Sequence, residues 1–272
     1  MSAQIELKDA GQVFAVRNDD DKRKQDFVAL ANVNLTIAAG EFLTLVGPSG
    51  CGKSTILDLI GGLTKPSSGT VSIDGEPITG PGPDRSVVFQ QYTLLPWRTA
   101  QENIEFALEA VGGWSKSERK ERARRYLDLV GLTEFANRYP HELSGGMKQR
   151  VAIARSLSYE PSVLLMDEPF GALDAQTRER LQEELVDIWK RTGTTIVFIT
   201  HDIEEAIFLG QRVAVMSSRP GTIRTVINIG LDRSASAEED VRGTQAFAAY
   251  RHQVWSLLRE RPVNRVGVAS VA

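Results

Sequence analysis

A single cysteine, Cys51, stands in a chain of 272 residues. That excludes an internal disulfide and any zinc cage built on paired cysteines, and makes a reducing compartment the expected setting. Neither sign of charge dominates: 32 lysines and arginines face 35 aspartates and glutamates, a formal net charge of -3. A surface built mainly for nucleic acid is therefore not expected. No uncharged apolar run approaches the roughly 18 residues of a membrane helix, and Met1 to Glu6 has neither the basic start nor the apolar stretch of a secretion signal. Neither a span nor secretion is expected. Solenoid-period repeats and long low-complexity segments are missing as well. What is there is ordinary for a globular chain, 42% hydrophobic and 25% charged residues, with enough length for one large domain or two small ones.

Short apolar runs punctuate the chain. Ile5 to Lys8 and Val33 to Ile37 alternate like half-buried strands, and the polar stretch Arg17 to Asp26 between them reads as a solvated loop insertion. Phe42 to Val46, Ser86 to Phe89, Val163 to Met166 and Thr195 to Ile199 are apolar on both faces and separated by helical segments. That pattern predicts an α/β fold with a mainly parallel core sheet covered by helices, whose ligands lie beyond the carboxyl ends of the strands. The region from about Tyr92 to Tyr159 reads as mostly helical, with Ala123, Tyr126, Leu127 and Val130 on one face of a charged helix. Arg212 to Met216 and Thr222 to Ile229 resemble a terminal strand pair, and Gln245 to Arg259 a closing amphipathic helix.

Gly47-Pro48-Ser49-Gly50-Cys51-Gly52-Lys53-Ser54 matches the phosphate-loop pattern G-x-x-x-x-G-K-[ST], and it lies where the pattern requires, after a strand and before a helix. Glycines let the backbone curl so that several N–H groups converge on phosphate oxygens, and the following helix adds the positive end of its dipole. Lys53 is expected to hold the β- and γ-phosphates and Ser54 a magnesium ion. Cys51 occupies a free position of the pattern and reads as a small filler, not a redox centre. Its thiol is nonetheless expected to be exposed in the empty site, so that alkylation blocks ATP turnover and bound ATP protects it.

Asp167 and Glu168 follow the aliphatic run Val163 to Met166, and adjacent acids at a strand end repel unless a cation or a hydrogen-bonding task compensates. Asp167 is expected to hold magnesium through water, and Glu168 to orient or deprotonate the water attacking the γ-phosphate. Pro169 biases Glu168 toward an extended backbone. His201 ends the run Thr195 to Thr200 in the same manner and is expected to contact the γ-phosphate. Gln90, beyond Val87-Val88-Phe89, can offer its carbonyl oxygen to magnesium and its amide to the water.

Leu143 to Arg150, with Ser144 as a plausible N-cap and glycines at 145 and 146, supplies a second glycine-rich helix start. Two anion sites in one chain suggest a nucleotide shared between two chains. Here the sequence resembles the ATP-binding cassette (ABC) ATPases. Gly47 to Ser54 is similar to their Walker A loop, Gln90 to their Q-loop glutamine, Leu143 to Arg150 to their signature motif, and Val163 to Glu168 to their Walker B strand. Ala172-Leu173-Asp174 resembles their D-loop and His201 their switch histidine.

The resemblance implies a P-loop NTPase of ABC type over residues 1–230, with an N-terminal antiparallel β subdomain and a helical signature subdomain near 92–159, followed by a C-terminal helical extension, 231–272. It implies ATP and Mg2+ as ligands. Phe14 or Phe27 would stack on adenine, unless either is a core residue. Gly47 to Thr55 would hold the phosphates, and Ser144, Gly145, Gly146, Gln149 and Asp174 would close on the other chain's nucleotide. Asp167-Glu168-Pro169-Phe170-Gly171-Ala172-Leu173-Asp174 resembles importer ATPases. Leu94 to Thr99 and Ser217 to Gly221 resemble the nitrate, sulfonate and taurine importer group. The implied partners are a second ATPase subunit, a transmembrane permease and, indirectly, an extracytoplasmic solute-binding protein. The implied place is the cytoplasmic face of the membrane. Trp97 would line the permease's groove or belong to the core. A soluble cassette ATPase serving nucleic acid or ribosomes is the competing expectation.

Overall fold

The computed structural model describes residues 2–17, 24–231 and 241–259. Along the chain, β1 (Ile5–Arg17) and β2 (Lys24–Ile37) form a long hairpin, β3 (Phe42–Val46) runs into the glycine-rich loop, and α1 (Lys53–Gly61) leaves it. β4 (Ser68–Ile73), β5 (Glu76–Pro77) and β6 (Arg85–Val88) follow. Helices α2 (Ala100–Val111), α3 (Lys116–Leu129) and α4 (Gly145–Leu157) fill the middle. The chain continues through β7 (Val163–Asp167), α5 (Ala175–Thr192), β8 (Thr195–Ile199), α6 (Ile203–Leu209), β9 (Arg212–Met216), β10 (Ile223–Asn228) and α7 (Gln245–Arg259).

Two sheets result. The core sheet has the order β10-β9-β3-β8-β7-β6 and is parallel except for β10. Every residue of β3 and β8 is buried, as a parallel sheet covered on both faces demands. The second sheet, β2-β1-β4-β5, is antiparallel throughout. Its strands β4 and β5 complete the sheet beyond β1, and Val71 and Ile73 alternate with polar neighbours between Gly69 and Gly75. The polar stretch expected as a loop is partly strand: Arg17 ends β1 opposite Lys24, which opens β2. Residues 18–23, the centre of that stretch, lie outside the described residues.

Local chemistry explains the helix boundaries. Thr99 and Ser115 each form a reciprocal capping box with the glutamate three residues on, Glu102 and Glu118, satisfying two orphan backbone donors at each helix start. The face of α3 carrying Ala123, Tyr126 and Leu127 is buried as expected, and packs with α2 and α4 on one side of the core sheet. A second apolar cluster lies between α1, the core sheet and the antiparallel sheet. A third joins α6, α7 and the β9–β10 pair through Phe247 and Val254. Trp97 is 70% exposed, so it is not a core residue.

Candidate functional site

The carboxyl end of β3 opens into a loop whose geometry only glycine tolerates. Gly50 has φ 70° and Gly52 φ 98°, and a Cβ on Gly52 would come within 3.3 Å of the Ala29 carbonyl while also striking Leu30. Gly52 also caps α1, and no acidic residue sits in that helix's first turn. The unpaired N–H groups and the dipole of α1 therefore face the loop with no competing carboxylate of their own. Lys53 is buried, and its Nζ donates to the carbonyls of Gly47 at 2.8 Å and Pro48 at 3.3 Å.

Two strands away, the end of β7 delivers the acids. Asp167 accepts a hydrogen bond from the Ser54 hydroxyl. Burial raises its pKa above the ordinary aspartate value, the charge of Glu168 raises it further, and Ser54 and Lys53 oppose the shift. Asp58 on α1 is also pushed up, by burial first and by Asp167 second. The neighbourhood is short of positive charge, which is the chemistry a divalent cation would relieve. Among the described residues no three His, Cys, Asp or Glu side chains group as a metal cage.

Glu168 does not adopt the extended backbone expected from the following proline. Its φ is 44°, held by a turn in which Gly171 N–H donates to the Glu168 carbonyl at 3.1 Å while Glu168 N–H donates to Ile199 at 3.0 Å. A non-glycine residue in this left-handed region carries strain, and the turn is what offsets it. The result aims the Glu168 carboxylate at His201, whose Nδ1 lies 3.0 Å from Oε2.

One cleft of about 500 Å³ gathers Phe14, Phe27, Ser49, Gly50, Gly52, Lys53, Ser54, Thr55, Glu168, His201 and Arg219. Asp167 joins it through Ser54. The two candidate phenylalanines are not alternatives in space: they face each other across the β1–β2 pair, each somewhat over one-third exposed, and both line the cleft. Neither is a core residue. Gln90 lies outside the cleft lining, beside Gly171. Arg155 of α4 ties the segment after Gln90 down, donating to the carbonyls of Tyr92 at 3.2 Å and Thr93 at 2.7 Å and to the Thr93 hydroxyl at 2.9 Å.

The second glycine-rich segment sits elsewhere on the chain. Ser144 caps α4 by accepting from Met147 N–H at 3.3 Å, and Gly145 and Gly146 pack against Tyr92, Leu173 and Thr177. Asp174 caps α5, accepting from Thr177 N–H at 3.0 Å, and this lowers its pKa. Ser144 and Asp174 are exposed, whereas Gln149 is fully buried and neither of its amide atoms finds a partner.

Cys51 requires a correction. The loop turns its side chain inward, leaving it 1% exposed against Met216 in the apolar cluster beneath, and burial raises its pKa. It is not the accessible thiol that its place in the loop suggested. Arg219, in contrast, belongs in the sequence only to the motif Ser217 to Gly221. Nothing local in the sequence marks it as a cleft residue, because the β9–β10 turn that brings it to Gly50 is a long-range arrangement.

The family model described as ABC transporter matches residues 30–171. A nitrate import ATP-binding protein from Synechocystis is 51% identical over 94% of this chain and 96% of its own length. A nitrate import ATP-binding protein from Synechococcus elongatus is 53% identical over 86% of each chain. Among solved structures, a dimeric ATP-binding cassette in a post-hydrolysis state bound to ADP and Pi is 38% identical, with a TM-score of 0.70 over 83% of this chain and 98% of that one.

Proposed function

The chain belongs to the ABC transporter family, and we propose that it is the ATP-hydrolysing subunit of an importer of a small anion, with nitrate the favoured solute. Two such cassettes pair beneath a transmembrane permease, at the cytoplasmic face of the membrane, and the permease receives its solute from an extracytoplasmic binding protein. No helix among the described residues is long and apolar enough to cross a membrane. The observation that carries the reading is the meeting, in one cleft, of a glycine-built phosphate cradle with the Glu168–His201 pair. Nitrate is favoured because two nitrate import relatives are 51% and 53% identical over 94% and 86% of this chain.

In this reading the backbone N–H groups of Ser49, Gly50 and Gly52 and the N-terminus of α1 hold the phosphates, with Thr55 beside them. Lys53 gives up its loop carbonyls for β- and γ-phosphate oxygens. Phe14 and Phe27 form the adenine wall. Ser54, Asp167 and Gln90 would hold Mg2+, which when bound neutralises charge on the phosphate oxygens. Glu168 accepts a proton from water as the water oxygen bonds to the γ-phosphorus and the bond from that phosphorus to the β–γ bridging oxygen breaks, releasing ADP and phosphate. His201 holds that carboxylate in line and contacts the γ-phosphate. Ser144, Gly145 and Gly146, with Asp174 beside them, close over the nucleotide of the opposed cassette, and the enclosed Gln149 supports that face from beneath. ATP thus draws the two cassettes together, and cleavage lets them part. Exposed Trp97 and the segment from Gln90 offer the surface for the permease. Residues 1–230 act as the ATPase domain, with 92–159 as its helical subdomain and 231–272 as an extension.

Reconstitution with the co-purifying membrane partner tests this. Hydrolysis should rise several-fold with nitrate-loaded binding protein and stay at its basal rate with the taurine-loaded form. Co-purification with RNA and with no membrane protein would overturn the transporter assignment.

A further inference from the structure

The motif Ser217 to Gly221 builds a rigid turn against the phosphate loop. Ser217 N–H donates to the Thr222 carbonyl at 3.0 Å, and the Ser217 and Thr222 hydroxyls lie 2.9 Å apart. Gly221 is stitched to β2 on both sides, donating to the Ala29 carbonyl at 2.9 Å and accepting from Ala31 N–H at 3.0 Å. It also packs so tightly on the Cys51 carbonyl that no Cβ would fit there. The turn therefore holds Arg219 at a fixed place over the cleft.

Arg219 Nε donates to the Gly50 carbonyl at 3.1 Å, and its guanidinium carbon lies 5.4 Å from the centre of the Phe27 ring. The side chain thus spans the cleft from the phosphate loop to the aromatic pair. Among the described residues no carboxylate pairs with it. Holding one carbonyl uses one of five guanidinium N–H donors, and the arginine is the second cation lining the cleft, with Lys53. A planar, permanently charged fork set between a phosphate cradle and a base-stacking wall is suited to a phosphate chain.

We propose that Arg219 is a nucleotide-binding residue that grips the phosphate chain from its base side. The assignment rests on the ATP reading above. It gives a chemical task to a motif that otherwise only marks a subgroup. Removing Arg219 takes a charge from the ligand and a tether from Gly50, and the test must separate the two.

Equilibrium binding of ATP and ADP to the purified chain does so with three variants. Arg219→Ala should weaken both nucleotides by ~10-fold, equivalent to about 1.4 kcal/mol. Arg219→Gln keeps a neutral N–H donor for the Gly50 carbonyl and should weaken them as much. ATP affinity at the wild-type level in Arg219→Gln would make Arg219 a loop tether alone and overturn the proposal. Lys53→Ala serves as the reference. If it loses ATP while Arg219→Ala binds normally, only the Arg219 assignment falls, whereas wild-type affinity in Lys53→Ala would remove the ATP reading itself.

Discussion

His201 Nδ1 lies 3.0 Å from Glu168 Oε2, so the residue just beyond β7 is tied to one just beyond its neighbour β8. Neither strand end alone would pair Glu168 with a partner for its carboxylate. Together they hold a carboxylate in one orientation at the mouth of the phosphate cleft.

Replacing Glu168 by Gln should leave ATP affinity intact and cut turnover by roughly 100-fold or more, the usual scale for loss of a general base. The variant should elute as a dimer when ATP is present. Single-turnover hydrolysis near the wild-type rate would remove Glu168 from its role.

Asp167 sits beside two other acids, Glu168 and Asp58, in a partly buried setting that opposes its ionisation. Asp167→Asn removes one of three like charges, and the thermal midpoint of the nucleotide-free protein should rise by roughly 2–4 °C, the shift about 1 kcal/mol produces in a chain of this size. Magnesium-dependent turnover should be lost in the same variant. A lower midpoint would contradict this account of the acidic cluster.

Glu205 of α6 is buried and accepts from Gln182 Nε2 at 2.9 Å, and burial raises its pKa above 4.5. The native state therefore holds this proton more tightly than the unfolded chain does. Its contribution to stability is full below pH 4.5 and is lost as pH rises through the raised native value. Glu205→Gln should flatten that part of the profile, gaining over wild type at pH 8 and little at pH 4. Parallel urea titrations at those two pH values give the comparison, and an equal gain at both would contradict it.

Cys51, enclosed against Met216, should react slowly with iodoacetamide whether or not ATP is present, and fully once the chain is unfolded. Fast labelling that ATP suppresses would mean that the loop opens to solvent.

How much of this was legible beforehand follows from the range of each interaction. The loop at Gly47, the acids after Val163 to Met166 and the strand-end His201 are local patterns, and a parallel sheet brings such ends together. Helix α7 covers the expected residues Gln245 to Arg259 because its apolar spacing is local as well. The inward turn of Cys51 is not legible locally, because the direction of this loop side chain depends on Met216, far along the sequence. Glu168 departs from the extended backbone because the turn to Gly171 outweighs the bias of Pro169. Phe14 and Phe27 looked like rivals only while the pairing of β1 with β2 across the charged stretch was unknown. Arg219 needed the pairing of Gly221 with β2 before it could be seen at the cleft at all.

Arg155 grips the carbonyls of Tyr92 and Thr93 with one guanidinium while standing on the helix that Ser144 begins. A single planar group thus joins the two segments. On the transporter reading proposed above, a push on one cassette's glutamine segment would displace its serine-led helix, and through that helix would reach the nucleotide of the opposite cassette.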